Sequence, residues 1–221
     1  MGHRPHLYLP PPWTGPVIEL SNNQRHHLLS VLRVQDSEAL TYTDGAGRMG
    51  VGHLHGGSVI RSTEESRPAP RPRLTLAVAP PRDKDRARFL VEKAGELEVA
   101  RIVWLSTRYG QGHPPPLGKA TAWAVAALEQ SQGVHLLVIE PAPVSPDQLG
   151  SQSWSGETWL AVGDGDPLLG EAPETITVAI GPEGGWAPEE LGLGFPRIGL
   201  GRTTLRVETA ALTVAVLLMR A

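Results

Sequence analysis

The chain of 221 residues contains no cysteine. Disulfides and thiolate metal sites are therefore excluded. The amino end, MGHRPHLYLPPPW, has no apolar core of the kind a secretory leader needs. The most apolar run, Ala210–Met219, is too short to span a bilayer and suits a buried helix. No G-x-x-x-x-G-K-[ST] pattern occurs, so no nucleotide P-loop is expected. These absences predict a cytoplasmic protein with neither a membrane nor a metal as partner. A net excess of basic residues is also missing, since 20 Lys and Arg face 23 Asp and Glu for a net charge of −3. That average conceals an asymmetry. Residues 1–110 carry 15 basic and 11 acidic groups (+4), and residues 111–221 carry 5 and 12 (−7). Six of the eight histidines precede residue 60. A chain whose amino-terminal half meets a polyanion has this distribution, and so does an unevenly charged but otherwise ordinary surface.

In chain order, Leu7–Leu9 reads as a short strand before the Pro10-Pro11-Pro12 break. Ser21 is placed to cap a helix over Gln24–Val34, with Leu28, Leu29, Leu32 and Val34 at near-helical spacing. Ala39–Thr43 and Val51–Ile60 alternate like strands about a turn at Asp44–Gly50. A small β-rich domain over residues 1–68 follows. The run RPAPRPR, Arg67–Arg73, is proline-rich, stiff and basic, which marks a linker. Beyond it, strands at Leu74–Ala79, Ile102–Leu105, Val134–Ile139, Glu157–Val162 and Thr175–Ile180 alternate with helices at Lys84–Glu98 and Leu117–Gln130. That alternation is the pattern of an α/β domain, residues 73–221, with a mostly parallel sheet covered on both faces. A strand at Arg197–Leu200 and a helix from about Glu208 close the chain. The glycine-bearing loops that follow Thr175–Ile180 and Arg197–Leu200 would lie together at the carboxyl ends of the sheet, where α/β folds bind small ligands.

Several tempting signals have plainer explanations. Gly45–Gly50 is a literal G-x-G-x-x-G, yet alternating residues follow it rather than a helix, so a hairpin turn is expected. His26 and His27 are adjacent and point apart on a helix, which disfavours a shared metal. Gly163-Asp164-Gly165-Asp166 lacks the terminal glutamate of a calcium loop and is expected to be a turn. Of the six tryptophans, Trp186 directly after Gly-Pro-Glu-Gly-Gly stands out, and most of the others are expected in the core.

Two segments, IGPEGG (Ile180–Gly185) and LGRTTLRVETA (Leu200–Ala210), resemble the two carboxyl-terminal motifs of the SPOUT methyltransferases. More narrowly they resemble the RsmE family, which methylates N3 of a uridine in small-subunit (16S) ribosomal RNA. HHLLSVLRV (His26–Val34), VEKAGELEVARI (Val91–Ile102) and AALEQS (Ala126–Ser131) agree in order along the chain. The resemblance implies a PUA-like RNA-binding barrel over 1–68 and a SPOUT α/β domain over 73–221, its carboxyl-terminal segment threaded into a deep trefoil knot. It further implies S-adenosyl-L-methionine as methyl donor, ribosomal RNA or the assembled subunit as partner, and a homodimer packed through the knot and the final apolar helix. Gly181, Glu183, Gly184, Leu200, Gly201 and Leu205 would hold the cofactor. Arg48, Arg61, Arg67, Arg71, Arg73, Arg82, Lys84, Arg86 and Arg88 would hold RNA phosphates. The chain departs from the family at Arg202-Thr203-Thr204, where an arginine and a β-branched apolar residue usually occupy the last two places. Glu98 stands where glycine is common, and Gln132-Gly133 where a Gly-Arg pair is usual.

Methylation at N3 requires loss of a proton, because neutral uridine N3 is a poor nucleophile. Arg206 stays protonated and is suited to stabilise a uridine oxyanion or hold the target phosphate. Glu208 is expected to accept the proton or to orient Arg206, and Glu183 to fix its loop. Two other functions fit the same residues: a SPOUT methyltransferase acting on another rRNA or tRNA base, and a non-catalytic RNA-binding assembly factor.

Overall fold

The structure is a computed structural model that describes residues 4–167 and 172–219. The chain forms two compact units, Met1–Ala69 with Leu128–Leu136, and Pro70–Ala127 with Leu137–Ala221. The outermost residues of both sequence-derived domains, 1–3 and 220–221, lie outside the described residues.

The first unit is a curled five-stranded sheet. Strands His6–Tyr8 (β1), Val17–Glu19 (β2), Ala39–Thr43 (β3), Arg48–His55 (β4) and Ser58–Ser66 (β5) are ordered β1-β3-β4-β5-β2. β1 runs parallel to β3, and the remaining pairs are antiparallel. Alternation buries Leu40, Tyr42, Leu54 and Val59 on one face, where they meet Leu7, Leu28 and Trp13. Trp13 packs edge-on against Tyr42 with centroids 4.9 Å apart, and its indole N–H donates to Leu9 O at 2.8 Å. The Gly45–Gly50 segment is part of the β3–β4 hairpin, with Gly45 and Gly47 at positive φ. The predicted single strand Val51–Ile60 is instead two strands. Gly56 and Gly57, at φ of 56° and 81°, make the two-residue turn between β4 and β5.

Ser21 caps the helix Asn22–His26 (α1) in a reciprocal pair with Gln24, but the predicted run to Val34 does not stay α-helical. A π-helical turn over His27–Val31 widens it and rotates the apolar stripe. Leu28 and Val34 are buried, whereas Leu29, Val31 and Leu32 remain exposed.

The second unit contains the strands Arg73–Val78 (β6), Arg101–Trp104 (β7), Val138–Ile139 (β8), Glu157–Pro167 (β9), Thr175–Ile180 (β10) and Arg197–Gly199 (β11). Their order is β11-β9-β10-β6-β7-β8, and every neighbouring pair is parallel. The central strands read as continuous apolar runs because both faces are buried, as at Leu74–Val78 and Ile176–Ile180. The helices are Lys84–Glu96 (α2), Leu117–Ser131 (α3), Pro188–Leu191 (α4) and Val207–Leu218 (α5). α2 and α5 pack on each other, and α5 also packs on β6 and β10. Chain direction across the sheet reverses between β6 and β10, since β6, β7 and β8 proceed to one edge and β9 begins near the other. Ligands bind at such a reversal, beyond the carboxyl ends of the strands.

Two sequence expectations change here. Val134–Ile139 gives only the two-residue β8, because Val134 lies in the first unit, where its carbonyl accepts from Gly47 N at 2.9 Å. Gly163–Asp166 is not a turn. It continues β9, and Gly165 lacks the Cβ that would collide with the backbone of Ile198 on β11.

Candidate active site

Because the sheet is parallel, β9, β10 and β11 all release their chains at one edge. A cavity of about 430 Å³ lies there, within the usual range for small-molecule sites. The end of β9 contributes Ala161–Asp164, the loop after β10 contributes Gly181–Glu183 and Gly185-Trp186, and the loop after β11 contributes Leu200–Leu205. Ile180, Leu191, Val207 and Ala210 form its apolar lining, while Asp164, Glu183, Thr203 and Thr204 bring polar atoms.

The loop after β10 is a tight turn, closed by Gly185 N–H donating to Pro182 O at 2.9 Å. Trp186 then folds back, and its indole N–H donates to Ala161 O at 2.9 Å, tying the turn to the end of β9. Gly181 is the residue that makes room: a Cβ there would stand 2.7 Å from the Trp186 ring. Its place is explained by the tryptophan. Gly201 differs, with a φ of 145° and open space where a Cβ would project. Glu190 on α4 is buried, and its carboxylate accepts from Ala187 N and from Arg108 N, both at 2.8 Å. One side chain thus clasps the start of α4 to the loop after β7. Sequence reasoning passed over Glu190, and only its spacing of three residues from Ala187 hinted at a helix-start acceptor.

Five of the six predicted cofactor residues, Gly181, Glu183, Leu200, Gly201 and Leu205, line this cavity together. Gly184 does not. It lines a separate recess of about 320 Å³ with Arg82, Tyr109, Gln111 and Glu183. Leu205 and Val207 flank Arg206 and line the cavity, whereas Arg206 itself does not. Arg206 is exposed at the start of α5, and no side chain among the described residues engages it. Glu208 in the first turn of α5 is 7% exposed. Its Oε1 lies 3.7 Å from Arg86 Nε, while its Oε2 is buried without a hydrogen-bond partner.

The predicted phosphate-binding residues divide by environment. Arg86 faces Glu208, Arg88 pairs with Glu92 at 2.7 Å, and Arg71 with Glu174 at 2.7 Å. In the first unit Arg48 reaches Asp44 at 3.5 Å and lies over the Trp13 ring at 4.2 Å, while Arg61 pairs with Glu64 and Arg67 with Glu65. Arg73, Arg82 and Lys84 have no ion-pair partner among the described residues.

The sequence pattern of the RNA methyltransferase domain family matches residues 67–219, which include every element of the cavity. The chain is 30% identical over 214 residues to the ribosomal RNA small subunit methyltransferase E of Synechocystis, covering 87% of this chain and 69% of that protein. It is 28% identical over 212 residues to the protein of the same name from Rickettsia conorii, covering 89% and 86%. Among solved structures, the ribosomal RNA small subunit methyltransferase E of Neisseria gonorrhoeae, bound to S-adenosyl methionine, superposes with a TM-score of 0.84 at 24% identity. It covers 97% of this chain and 96% of its own. A methyltransferase of Legionella pneumophila in complex with the same cofactor gives 0.85 at 24% identity, covering 98% and 97%. The α/β fold and its curled amino-terminal sheet are therefore shared with those structures. By the extent of these matches, the chain belongs to the RNA methyltransferase domain family and, within it, to the family of ribosomal RNA small subunit methyltransferase E.

Proposed function

We propose that this protein is an S-adenosylmethionine-dependent methyltransferase that forms N3-methyluridine in small-subunit ribosomal RNA. The observation that carries this reading is the cavity at the carboxyl ends of β9, β10 and β11, built from the two motif loops. Its volume, its apolar walls and the open space at Gly201 suit a nucleoside-sized ligand with a charged tail. Gly181, Glu183, Leu200, Gly201 and Leu205 would hold the cofactor, with Gly184 shaping the outer face of the same loop. When bound, the cofactor supplies a methyl group on a sulfonium, so an anionic nucleophile cancels charge on attack and a partly dry pocket favours the step. Arg206 stabilises the uridine oxyanion or holds the target phosphate. Glu208, in the first turn of α5 with its buried carboxylate facing Arg86, would orient Arg206 at the start of the same helix.

In the same reading residues 1–68 form a PUA-like RNA-binding barrel, and residues 73–221 a SPOUT domain whose carboxyl-terminal segment is threaded into a deep trefoil knot. The enzyme is a cytoplasmic homodimer that acts on ribosomal RNA or the assembled subunit. No helix among the described residues is long and apolar enough to cross a membrane. Incubation with labelled cofactor and hypomethylated small subunits, followed by nucleoside mass spectrometry, tests the function. 3-Methyluridine is the expected product. Another methylated nucleoside assigns a different target base, and no product at all assigns a binding role instead.

A further inference from the structure

The recess beside the cofactor cavity has a chemistry of its own. It lies at the same edge of the sheet, where Arg82 follows β6, Tyr109 and Gln111 follow β7, and Glu183-Gly184 follow β10. Glu183 is exposed and lines both spaces, so this residue stands at their boundary. Tyr109 is 46% exposed, which leaves much of an aromatic side chain uncovered. Among the described residues no hydrogen bond or ion pair engages the side chains of Arg82, Gln111 or Glu183. The walls are nevertheless held in place. Glu190 clasps Arg108 N–H and Ala187 N–H, joining the Tyr109 loop to the segment that follows Glu183. Gly184 allows those loops to approach, since a Cβ there would stand 3.1 Å from Tyr109 Cβ.

Resting on the methyltransferase reading above, we infer that this recess receives the target uracil base and that Glu183 is the group that accepts its N3 proton. The donor and acceptor pattern fits. The uracil edge presents an N–H at N3 between two carbonyl oxygens. A carboxylate accepts only, while a guanidinium and a carboxamide both donate. Glu183 therefore takes the N3–H, Arg82 and Gln111 donate to O2 and O4, and Tyr109 offers a face on which an unstacked base rests. Cytosine carries a bare lone pair at N3, which an ionised Glu183 would repel, so the same groups discriminate against it. Glu208 cannot do this work, because it is buried beside Arg86 and lines neither space. In the step itself the N3 proton passes to the Glu183 carboxylate. The freed nitrogen pair forms the N–CH₃ bond, and the S–CH₃ pair returns to sulfur. Anion and sulfonium cancel, leaving a neutral acid, a neutral thioether and a neutral 3-methyluridine. Once N3 bears a methyl, the hydrogen bond to Glu183 is gone, which favours release.

Binding and rate test this separately on the full chain at saturating cofactor. The probes are single-stranded oligoribonucleotides carrying one uridine, one cytidine or one 3-methyluridine. The wild type should prefer the uridine probe, Tyr109→Ala should bind it roughly tenfold more weakly, and Tyr109→Phe should restore binding, in line with about 1–3 kcal/mol per stacked base. Glu183→Gln should erase the preference over cytidine. In single turnover it should be slower by about 10²–10⁴, the range for a lost general base. Its rate should then climb roughly tenfold per pH unit between about pH 6 and pH 8 as hydroxide replaces the carboxylate, with the wild type much flatter. A Glu183→Gln enzyme with wild-type rate and pH profile, or a Tyr109→Ala enzyme with wild-type affinity, overturns the inference while 3-methyluridine formation by the wild type keeps the function intact. A wild type that makes no 3-methyluridine overturns both.

Discussion

At the scale of single residues, the helix ends explain two of the chain's departures from its family. Glu98 and Gln132 both have a φ of 57°, a region that costs a side-chain-bearing residue roughly 1–2 kcal/mol. Each follows the end of a helix. Val99 N–H donates to Ala94 O and Glu98 N–H to Gly95 O beyond α2, and Gly133 N–H donates to Leu128 O beyond α3. These are the bonds of a Schellman cap, whose left-handed position favours glycine. The family's usual glycine at these places thus has a backbone reason, which this chain forgoes. Glu98 is exposed, so Glu98→Gly should stabilise the protein by about 0.5–1 kcal/mol once glycine's greater freedom in the unfolded chain is subtracted. Thermal unfolding would detect the rise, and a fall would show that the Glu98 side chain has a stabilising contact in solution. Arg206 offers a second residue-scale prediction. It sits at the N-cap position of α5 without a side-chain capping bond, so its removal leaves that helix start chemically unchanged. Arg206→Ala should slow methyl transfer by roughly 10²–10³ at saturating RNA and cofactor, the loss typical of an oxyanion donor. Single-turnover rates equal to wild type would make Arg206 a bystander.

Among the elements, the parallel strands and their loops were the most legible, and the physical reason is burial. β6 and β10 are apolar without interruption because helices or loops cover both faces, and their glycine-bearing ends are visible as breaks. The first unit was harder to read. A π-turn adds one residue to a helical turn without any compositional mark, so the apolar spacing of Leu28–Val34 misled. The Gly56-Gly57 hairpin was missed because Val51–Ile60 alternates well enough to pass as one strand. Nor does any local signal tell that residues 128–136 leave the second unit to complete the first, since that is settled by long-range bonds. β1 depends on them. His6 Nδ1 lies 2.7 Å from Thr41 Oγ1 and its Nε2 2.9 Å from Gly133 O, and Glu129 accepts from Tyr8 N at 2.9 Å. Burial lowers the His6 pKa below its ordinary 6.5. The unfolded chain then binds the proton more readily, so the stability from neutral His6 is complete above 6.5 and declines as pH falls toward the folded value. Denaturant unfolding should show stability dropping below about pH 6.5 in the wild type and a shallower drop in His6→Gln. Identical slopes would remove His6 from the account. Burial also raises the Glu129 pKa, an effect of opposite sign that costs stability as pH rises above the ordinary carboxylate value, and the comparison with His6→Gln isolates the histidine part.

Assembly and RNA binding belong to the whole molecule. α5 buries Val207, Ala211, Val214 and Leu218 within its own unit, yet Val216 and Leu217 are each 40% exposed. In the proposed homodimer they meet a second copy, so light scattering at micromolar concentration should give twice the chain mass, and Leu217→Glu should shift it toward one. A monomeric wild type would sink the dimer. For RNA, the charge asymmetry of the sequence takes on a finer grain, because many of the amino-terminal arginines already face acidic partners. Exposed pairs such as Arg88–Glu92 are screened by water and yield readily to a phosphate. Arg86 is different, since reversing its charge would leave the buried Glu208 against a second negative group and disturb the α2–α5 packing. A clean test therefore avoids Arg86 and neutralises Lys84 and Arg88, both exposed on α2. If each contacts one phosphate of single-stranded RNA, the pair Lys84→Gln and Arg88→Gln should lower the slope of log affinity against log salt by roughly 1.4, at about 0.7 per contact. Cofactor affinity, measured by calorimetry on the same variant, should stay at the wild-type value. An unchanged slope would remove this face of α2 from the RNA path, and a parallel loss of cofactor binding would trace the effect to damage within the second unit.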